Sequence, residues 1–156
     1  MIHPMNEIAG LLPVANILPD LDVANKKRLF EQVGLLFENN HGIRRNVIYD
    51  SLFAREKLGS TGLGQGIAVP HGRIKGLSEA MGAFVRTREP IPFDSPDGRG
   101  VSQIFVLLVP EHATDRHLQI LSELAQMFSD RAFRERIATA PDASSLHQLF
   151  ENWQSS

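Results

Sequence analysis

The part of the sequence best suited to chemistry is a glycine-rich segment that leads into a histidine. Residues 59–66 read GSTGLGQG, with four glycines in eight positions, and the short apolar run Ile67–Val69 follows. Pro70 then precedes His71, and Gly72 follows it. Glycines let backbone N–H groups converge on an anion, and a histidine between proline and glycine is presented rigidly with one side open. The segment therefore indicates an anion pocket that contains a histidine suited to act as a nucleophile or as a ligand.

A second segment with suitable residues is EHATDRH, from Glu111 to His117, which follows an apolar run and enters a predicted helix. His117 falls in the first turn of that helix, where free N–H groups and the positive end of the helix dipole favour an anion. The same dipole disfavours an imidazolium. We therefore expect His117 to act as a neutral hydrogen-bond partner.

Other interpretations of both segments remain open at this point. A glycine-rich loop before a strand is often only a turn, and His71, His112 and His117 could be ordinary structural or solvated residues. The spacing excludes a Walker phosphate loop, and the glycines precede the strand, which excludes a dinucleotide fingerprint. A metal-binding hydrolase could use His71 and His117 with Glu111 or Asp115, but no tight ligand spacing supports it.

Composition excludes several further classes of protein. The 156 residues include 16 Lys and Arg, 18 Asp and Glu, six His and no Cys. The absence of Cys excludes disulfide scaffolds, thiolate metal sites and cysteine nucleophiles. The net charge of −2 argues against a nucleic-acid partner. No apolar run approaches the roughly 20 residues of a membrane span, and the N-terminus resembles no secretory signal, so we expect a cytoplasmic protein without direct membrane insertion.

The elements that must position these residues follow from hydrophobic periodicity. Asp22 and Asn46 are candidate N-caps of the first two long helices, with Gly42 and Gly59 as their candidate ends. Residues 7–22 are rich in turn residues and predict a short strand and a loop. Strands are predicted at 67–69, 80–87 and 102–109, with a short edge strand at 91–93. Helices are predicted at 23–40, 47–58, 116–128, 130–137 and 142–153.

The order helices, strands, helices predicts an α/β (α+β) fold in which a sheet lies between helical layers. The run 102–109 is continuously apolar, which predicts a strand buried on both faces. No repeat or linker divides the chain. We therefore expect a single domain over residues 1–156, with a core from about residue 8 to residue 153.

The segment around His71 resembles the active-site signature of phosphotransferase-system enzyme IIA domains of the fructose/mannitol type. The residues that match at the spacing of the signature are Glu56, Leu63–Gly64 and Ile67–Gly72, and the flanking matches are Arg55, Gly59–Gly62 and His117. The similarity extends over nearly the whole chain. It is closest to the nitrogen-regulatory branch of the family, enzyme IIA-Ntr.

This resemblance implies a mixed β-sheet flanked by helices in one EIIA type-2 domain, and it implies that the protein is a phosphocarrier. His71 would be the phosphorylated nucleophile, with His117 and Arg55 beside it. Phosphoryl transfer needs positioning and charge stabilisation more than covalent help. Backbone and hydroxyl donors can supply this, so no metal ion or other cofactor is required. The residues predicted to bind the phosphate are Ser60, Thr61, Gly62 and Gly72.

The resemblance also implies partners. The donor would be a phosphorylated HPr-like carrier, NPr in this branch, and Leu63, Ile67 and Val69 are predicted to form an apolar contact surface for it. In sugar transport, a IIA component passes the phosphoryl group to a separate IIB protein. The sequence contains neither a IIB domain nor a cysteine. We therefore expect regulation instead, of partners such as potassium transport systems or sensor kinases, according to the phosphorylation state.

Overall fold

A six-stranded mixed sheet forms the centre of the computed structural model, which describes residues 6–112 and 114–154. The order of the strands across the sheet is β1-β5-β6-β3-β2, and β4 pairs with β6 beyond β3. The strands are β1 Ile17–Leu21, β2 Gly62–Gly64, β3 Ile67–Ala68, β4 His71–Ile74, β5 Met81–Ile91 and β6 Val101–Pro110.

Helices cover both faces of this sheet, which confirms the predicted fold class. They are α1 Glu7–Leu11, α2 Lys26–His41, α3 Arg45–Glu56, α4 Asp115–Ser129, α5 Arg131–Thr139 and α6 Ala143–Asn152. Among the described residues, no helix combines the length and the apolar character that crossing a bilayer requires.

Strand β6 separates the two halves of the core. Phe105 and Leu107 pack on one face with apolar residues of α1, α4, α5 and α6. Ile104 and Val106 pack on the other face with apolar residues of α2 and α3. Because both faces of a pleated strand are covered here, the positions from Ile104 to Val109 favour apolar side chains. The continuous apolar run of the sequence is explained by this burial.

The segment that pairs with β6 on the side away from β5 consists of two short strands, β3 and β4. Strand β3 pairs with the first half of β6 and β4 with the second half, both in parallel. Pro70 lies between them, and its carbonyl accepts the N–H of Leu107 at 2.9 Å. Proline has no N–H and cannot continue a ladder on both sides. His71 was predicted at the end of a strand, but it is the first residue of β4, paired with Leu107.

Several predicted element ends are corrected by contacts distant in sequence. Residues Glu7–Leu11 form a helix instead of a strand or loop, because Asn6 caps them and also donates to two carbonyls of the C-terminal region. Helix α2 is capped by Asn25 and not by Asp22. Helix α3 begins before Asn46 and has no side-chain cap. Of the edge strand predicted at 91–93, only Ile91 lies in a strand, as the last residue of β5.

Helices α2 and α3 end in different ways. Gly42 ends α2 in the left-handed conformation with φ +70°, as predicted. Helix α3 ends at Glu56, three residues before the glycine predicted to stop it. The glycine-rich residues that follow are not only a loop, since they include β2, which pairs antiparallel with β3.

Gly72 allows β4 to pack directly against α3. A Cβ at this position would collide with the side chain of Ser51 and lie 3.3 Å from the backbone carbonyl carbon of Ser51. We expect Gly72→Ala to lower the free energy of unfolding by about 1–3 kcal/mol, the usual range for overpacking. Chemical denaturation measures this loss. Gly10→Ala is the control, because a Cβ there meets nothing within 4 Å; equal unfolding free energies for the two variants would contradict the tight packing.

Candidate active site

The ring of His71 is held by two hydrogen bonds that fix its tautomer. Nδ1 lies 3.0 Å from the carbonyl oxygen of Val69, which can only accept a hydrogen bond. Nε2 lies 3.2 Å from Nε of Arg55, which can only donate one. The neutral ring therefore carries its proton on Nδ1. Its lone pair is on Nε2, on the side that faces the arginine.

Arg55 is itself anchored close to the end of α3. Its Nη1 donates to the carbonyl oxygen of Gly59 at 2.9 Å, while its Nε reaches His71. The guanidinium thus connects the first residue of the glycine-rich segment to the ring of His71. Its planar set of donors is suited to the oxygens of a phosphoryl group.

The environment of His71 favours the neutral ring. Burial lowers its pKa below the ordinary value of 6.5, and the positive charge of Arg55 lowers it further. The hydrogen bond to Val69 and the negative charge of Glu56 act in the opposite direction and are outweighed. A neutral imidazole keeps its lone pair, which is the form required of a nucleophile.

His117 lies in the first turn of α4, with Thr114 as the N-cap residue. The backbone N–H of Thr114 donates to Nδ1 of His117 at 2.9 Å. Since Nδ1 is the acceptor, the proton of the neutral ring is on Nε2. The ring therefore offers an N–H donor, which is the neutral partner that its position at the helix start suggests.

Two cavities meet at His71 and Arg55, and all the predicted site residues line one or both of them. The larger, of about 690 Å³, is a groove between α3 and α4 that reaches His117. The smaller, of about 230 Å³, borders the glycine-rich segment. The described lining of the groove is Ser51, Ala54, Arg55, Leu58, His71, Gly72, Arg73, Leu107, Val109, His117, Leu118 and Leu121. It includes two arginines and no carboxylate.

The residues predicted to bind phosphate have other hydrogen-bond partners in this structure. The hydroxyl of Ser60 donates to the carbonyl of Phe93 and accepts the N–H of Gly62. The N–H and hydroxyl of Thr61 both donate to the carboxylate of Glu56. Their role in phosphate binding stays a prediction, and a bound phosphoryl group would compete with these contacts.

Exposed leucines surround the two cavities. Leu58 is 84% exposed, Leu63 48% and Leu118 63%. Of the apolar residues predicted at the mouth, Ile67 is buried in the core as part of β3, and Val69, which follows β3, is also buried but lines the smaller cavity. Leu63 keeps its predicted position at the mouth.

The leucines near α4 show why sequence periodicity missed part of this surface. The spacing of apolar residues in α4 predicts that Leu118 shares a face with Leu121 and Leu124, yet it lies near the helix start, is 63% exposed and lines the groove. Leu58 was predicted to be the last residue of a helix over 47–58, but it lies after the end of α3 and is exposed. An aliphatic residue next to a predicted active-site segment is the signal that could have identified both.

The metal-site alternative finds no supporting cluster. Among residues 6–112 and 114–154, no group of three or more His, Asp or Glu side chains is arranged to hold a metal ion. The segment 111–117 includes residue 113, which lies outside the described residues.

Residues 11–153 match the model of the family described as phosphoenolpyruvate-dependent sugar phosphotransferase system, EIIA 2. The chain belongs to this family. A nitrogen regulatory protein of Pseudomonas aeruginosa is 38% identical over 146 residues, which cover 93% of this chain and 95% of that protein. The expected resemblance to the nitrogen-regulatory branch is thereby confirmed.

Solved structures give the same result. The crystal structure of nitrogen regulatory protein IIA-Ntr from Neisseria meningitidis has 51% sequence identity and a TM-score of 0.88, covering 93% of this chain and 99% of that one. IIA mannitol from Escherichia coli, at 21% identity and a TM-score of 0.74, covers 88% and 97% and shares the fold. The chain therefore belongs to the nitrogen-regulatory branch of the family and has the type-2 fold.

The environment of His71 predicts its titration. We expect its pKa below 6.5, and we expect Arg55→Gln to raise it, because a nearby positive charge is removed. Because the folded protein favours the neutral ring of His71, this ring makes its full contribution to the free energy of unfolding above pH 6.5. The contribution is lost as the pH falls below 6.5 towards the pKa of the folded protein, because the unfolded chain then binds a proton that the folded protein does not. A ¹⁵N NMR titration measures both pKa values. A pKa at or above 6.5 in the wild type would contradict the account.

Proposed function

We propose that this protein accepts a phosphoryl group on Nε2 of His71 from a phosphorylated HPr-like carrier, NPr in this branch, and regulates partner proteins through its phosphorylation state. The observation that carries the proposal is the fixed tautomer of His71. Its proton is held by Val69, so the lone pair of Nε2 is available at the junction of the two cavities.

The transfer balances without a metal ion or a proton relay. The lone pair of Nε2 forms the new N–P bond, the N–P bond of the carrier breaks, and its electron pair returns to the imidazole of the carrier. The proton on Nδ1 stays in place. As Nε2 gives up its lone pair, the ring becomes more positive, and the Nδ1–H bond to the carbonyl of Val69 strengthens.

Charge on the transferred phosphoryl oxygens is met by Arg55 and His117. Nε of Arg55 occupies the position facing Nε2 before transfer, so it must turn to the phosphoryl oxygens as the N–P bond forms. Nε2–H of His117, which lines the same groove, is a second donor. The ring of His117 is already fixed by the N–H of Thr114, so this donor stabilises such charge without reorganisation.

The groove suits a protein donor. It is apolar over most of its lining, and Leu58 and Leu118 are exposed at its border. A carrier that presents a phosphohistidine surrounded by apolar residues could cover these leucines and exclude water from the reacting atoms. Arg55 and Arg73 would meet the negative charge of the incoming phosphoryl group.

A regulatory output is supported by the similarity to proteins named nitrogen regulatory protein. A phosphoryl group at His71 would add negative charge and acceptor oxygens to a groove lined by two arginines. Partners that bind the cationic groove would then be released, and others recruited. We propose that the protein acts in the cytoplasm. Potassium transport systems and sensor kinases are the partners that we propose to test.

Sugar transport is a second candidate, favoured by the 33% identity over 105 residues to the fructose-specific EIIA component of Haloferax volcanii. That alignment covers 67% of this chain and 68% of the relative. The two functions differ in the next acceptor. Rapid transfer from the phosphorylated protein to a IIB cysteine would favour sugar transport, whereas a lasting phosphorylated form that changes partner binding would favour regulation.

The assignment of the nucleophile has a direct test. Incubated with phosphoenolpyruvate, enzyme I and the carrier, the wild type should gain acid-labile, base-stable phosphate, and His71→Ala should gain none. His147→Ala is the control, since that histidine lies on α6 beside Glu151 and outside both cavities. Phosphate on His71→Ala would show that another residue is the nucleophile.

The role of His117 is tested by rate. We expect His117→Ala to accept the phosphoryl group about 100-fold more slowly, as for the loss of one preorganised donor. His117→Gln should lose less, because its amide retains an N–H donor near the position of Nε2. Single-turnover measurements with the phosphorylated carrier give both rates. If His117→Ala reacts as fast as the wild type, His117 does not stabilise the transferred group.

A further inference from the structure

We propose that Lys26, on α2, is a positioning residue for phosphoryl acceptance by His71. It lines neither cavity, and among the described residues its hydrogen bonds and ion pairs involve neither His71 nor Arg55. Its effect passes through Glu56, Thr61 and the backbone that holds the ring. The proposal rests on the proposed function, because it concerns the readiness of the same Nε2 atom.

Lys26 is a largely buried cation that contacts a carboxylate, a backbone carbonyl and an aromatic ring. Its Nζ lies 3.6 Å from Oε1 of Glu56, and it donates to the carbonyl of Phe93 at 3.3 Å. It also lies 4.4 Å from the centre of the Phe93 ring, within the range of a cation–π contact. Asp94, at 3.9 Å, is almost fully exposed. The position of Lys26 is therefore defined by buried groups and not by its solvent contact.

The carboxylate of Glu56 connects Lys26 to Thr61 of the glycine-rich segment. Its side chain is 4% exposed, and its two oxygens accept both donors of Thr61: the N–H at 2.9 Å and the hydroxyl at 2.7 Å. A buried carboxylate requires such partners. With Lys26 on one side and Thr61 on the other, it fixes the backbone of Thr61.

Two further hydrogen bonds lead from Thr61 to the nucleophile. The carbonyl of Thr61 accepts the N–H of Val69 at 3.0 Å. The carbonyl of Val69 accepts Nδ1–H of His71, also at 3.0 Å. Val69, which fixes the tautomer of His71, is thus held by Thr61, and Thr61 is in turn held by Glu56. Each contact in this chain restricts the rotation of the imidazole.

A second path joins the same groups and supports the direction of the effect. The carbonyl of Phe93 accepts both Nζ of Lys26 and the hydroxyl of Ser60. The hydroxyl of Ser60 in turn accepts the N–H of Gly62. Lys26 therefore holds the glycine-rich segment from both sides of Thr61. Removal of its charge leaves a buried carboxylate and a carbonyl short of a donor, and the segment must rearrange to meet water.

The test uses Lys26→Met, which keeps an apolar side chain against Phe93 and removes the charge. At saturating phosphorylated carrier, we expect the rate of acceptance to fall about tenfold, as for a slightly misplaced reacting group. The half-saturating carrier concentration should stay unchanged, because Lys26 does not line the groove. Lys26→Arg should restore most of the rate. Lys27→Met is the matched control, since Lys27 is the exposed neighbour on the same helix.

A spectroscopic measurement separates positioning from loss of stability. In ¹⁵N NMR of the folded variant, we expect Lys26→Met to reduce the share of the Nδ1–H tautomer of His71, with Lys27→Met unchanged. Wild-type rate and tautomer in Lys26→Met, or a change only in the half-saturating carrier concentration, would overturn the proposal. If the wild type itself accepts no phosphoryl group, the proposed function fails, and the tautomer still decides whether Lys26 orients the ring.

Discussion

The hydrogen bond from Nδ1 of His71 to the carbonyl of Val69 is the contact on which the chemistry of the site depends. A neutral histidine ring carries one proton, which can sit on either Nδ1 or Nε2, and the hydrogen bonds of the ring decide which nitrogen holds it. Because the carbonyl can only accept, it keeps the proton on Nδ1 and leaves the lone pair on Nε2. Burial of the ring then keeps Nε2 unprotonated at neutral pH.

The fold is arranged so that this carbonyl cannot move. Val69 lies between β3 and β4, which pair with consecutive parts of β6 at the centre of the sheet. Its side chain is buried in the core, and its N–H is bound to Thr61. The helices add the remaining groups, with Arg55 from α3 on one side of the ring and His117 from α4 across the groove. His71 therefore lies on rigid elements, while exposed leucines surround it.

The chemistry of this site was more predictable from sequence than its supporting contacts. The segment around His71 carries its own signal, because glycine, proline and histidine restrict the local backbone in recognisable ways. The burial of β6 was likewise visible as a continuous apolar run. Helix α1 was not, since its five residues are held by contacts between Asn6 and carbonyls near the other end of the chain. Strand β4 was missed because it exists only through its pairing with β6.

Polar and charged residues show the same difference between local sequence signals and contacts that are distant in sequence. Asp22 and Asn25 are both chemically acceptable helix caps, and the three-dimensional course of the chain decides between them. Lys26 looked like any lysine at a helix start, yet it is largely buried against Glu56 and Phe93. No local pattern marks a cation whose partners are 30 and 67 positions away. Contacts of this kind emerge only when the elements are assembled.

The central claim is that Nε2 of His71 is the atom that receives the phosphoryl group. It is tested most directly by ¹⁵N and ³¹P NMR of ¹⁵N-histidine-labelled protein, phosphorylated through the carrier. The account predicts direct ¹⁵N–³¹P coupling at Nε2 of His71, with the proton retained on Nδ1. Coupling at Nδ1 of His71, or at any other histidine, would contradict it.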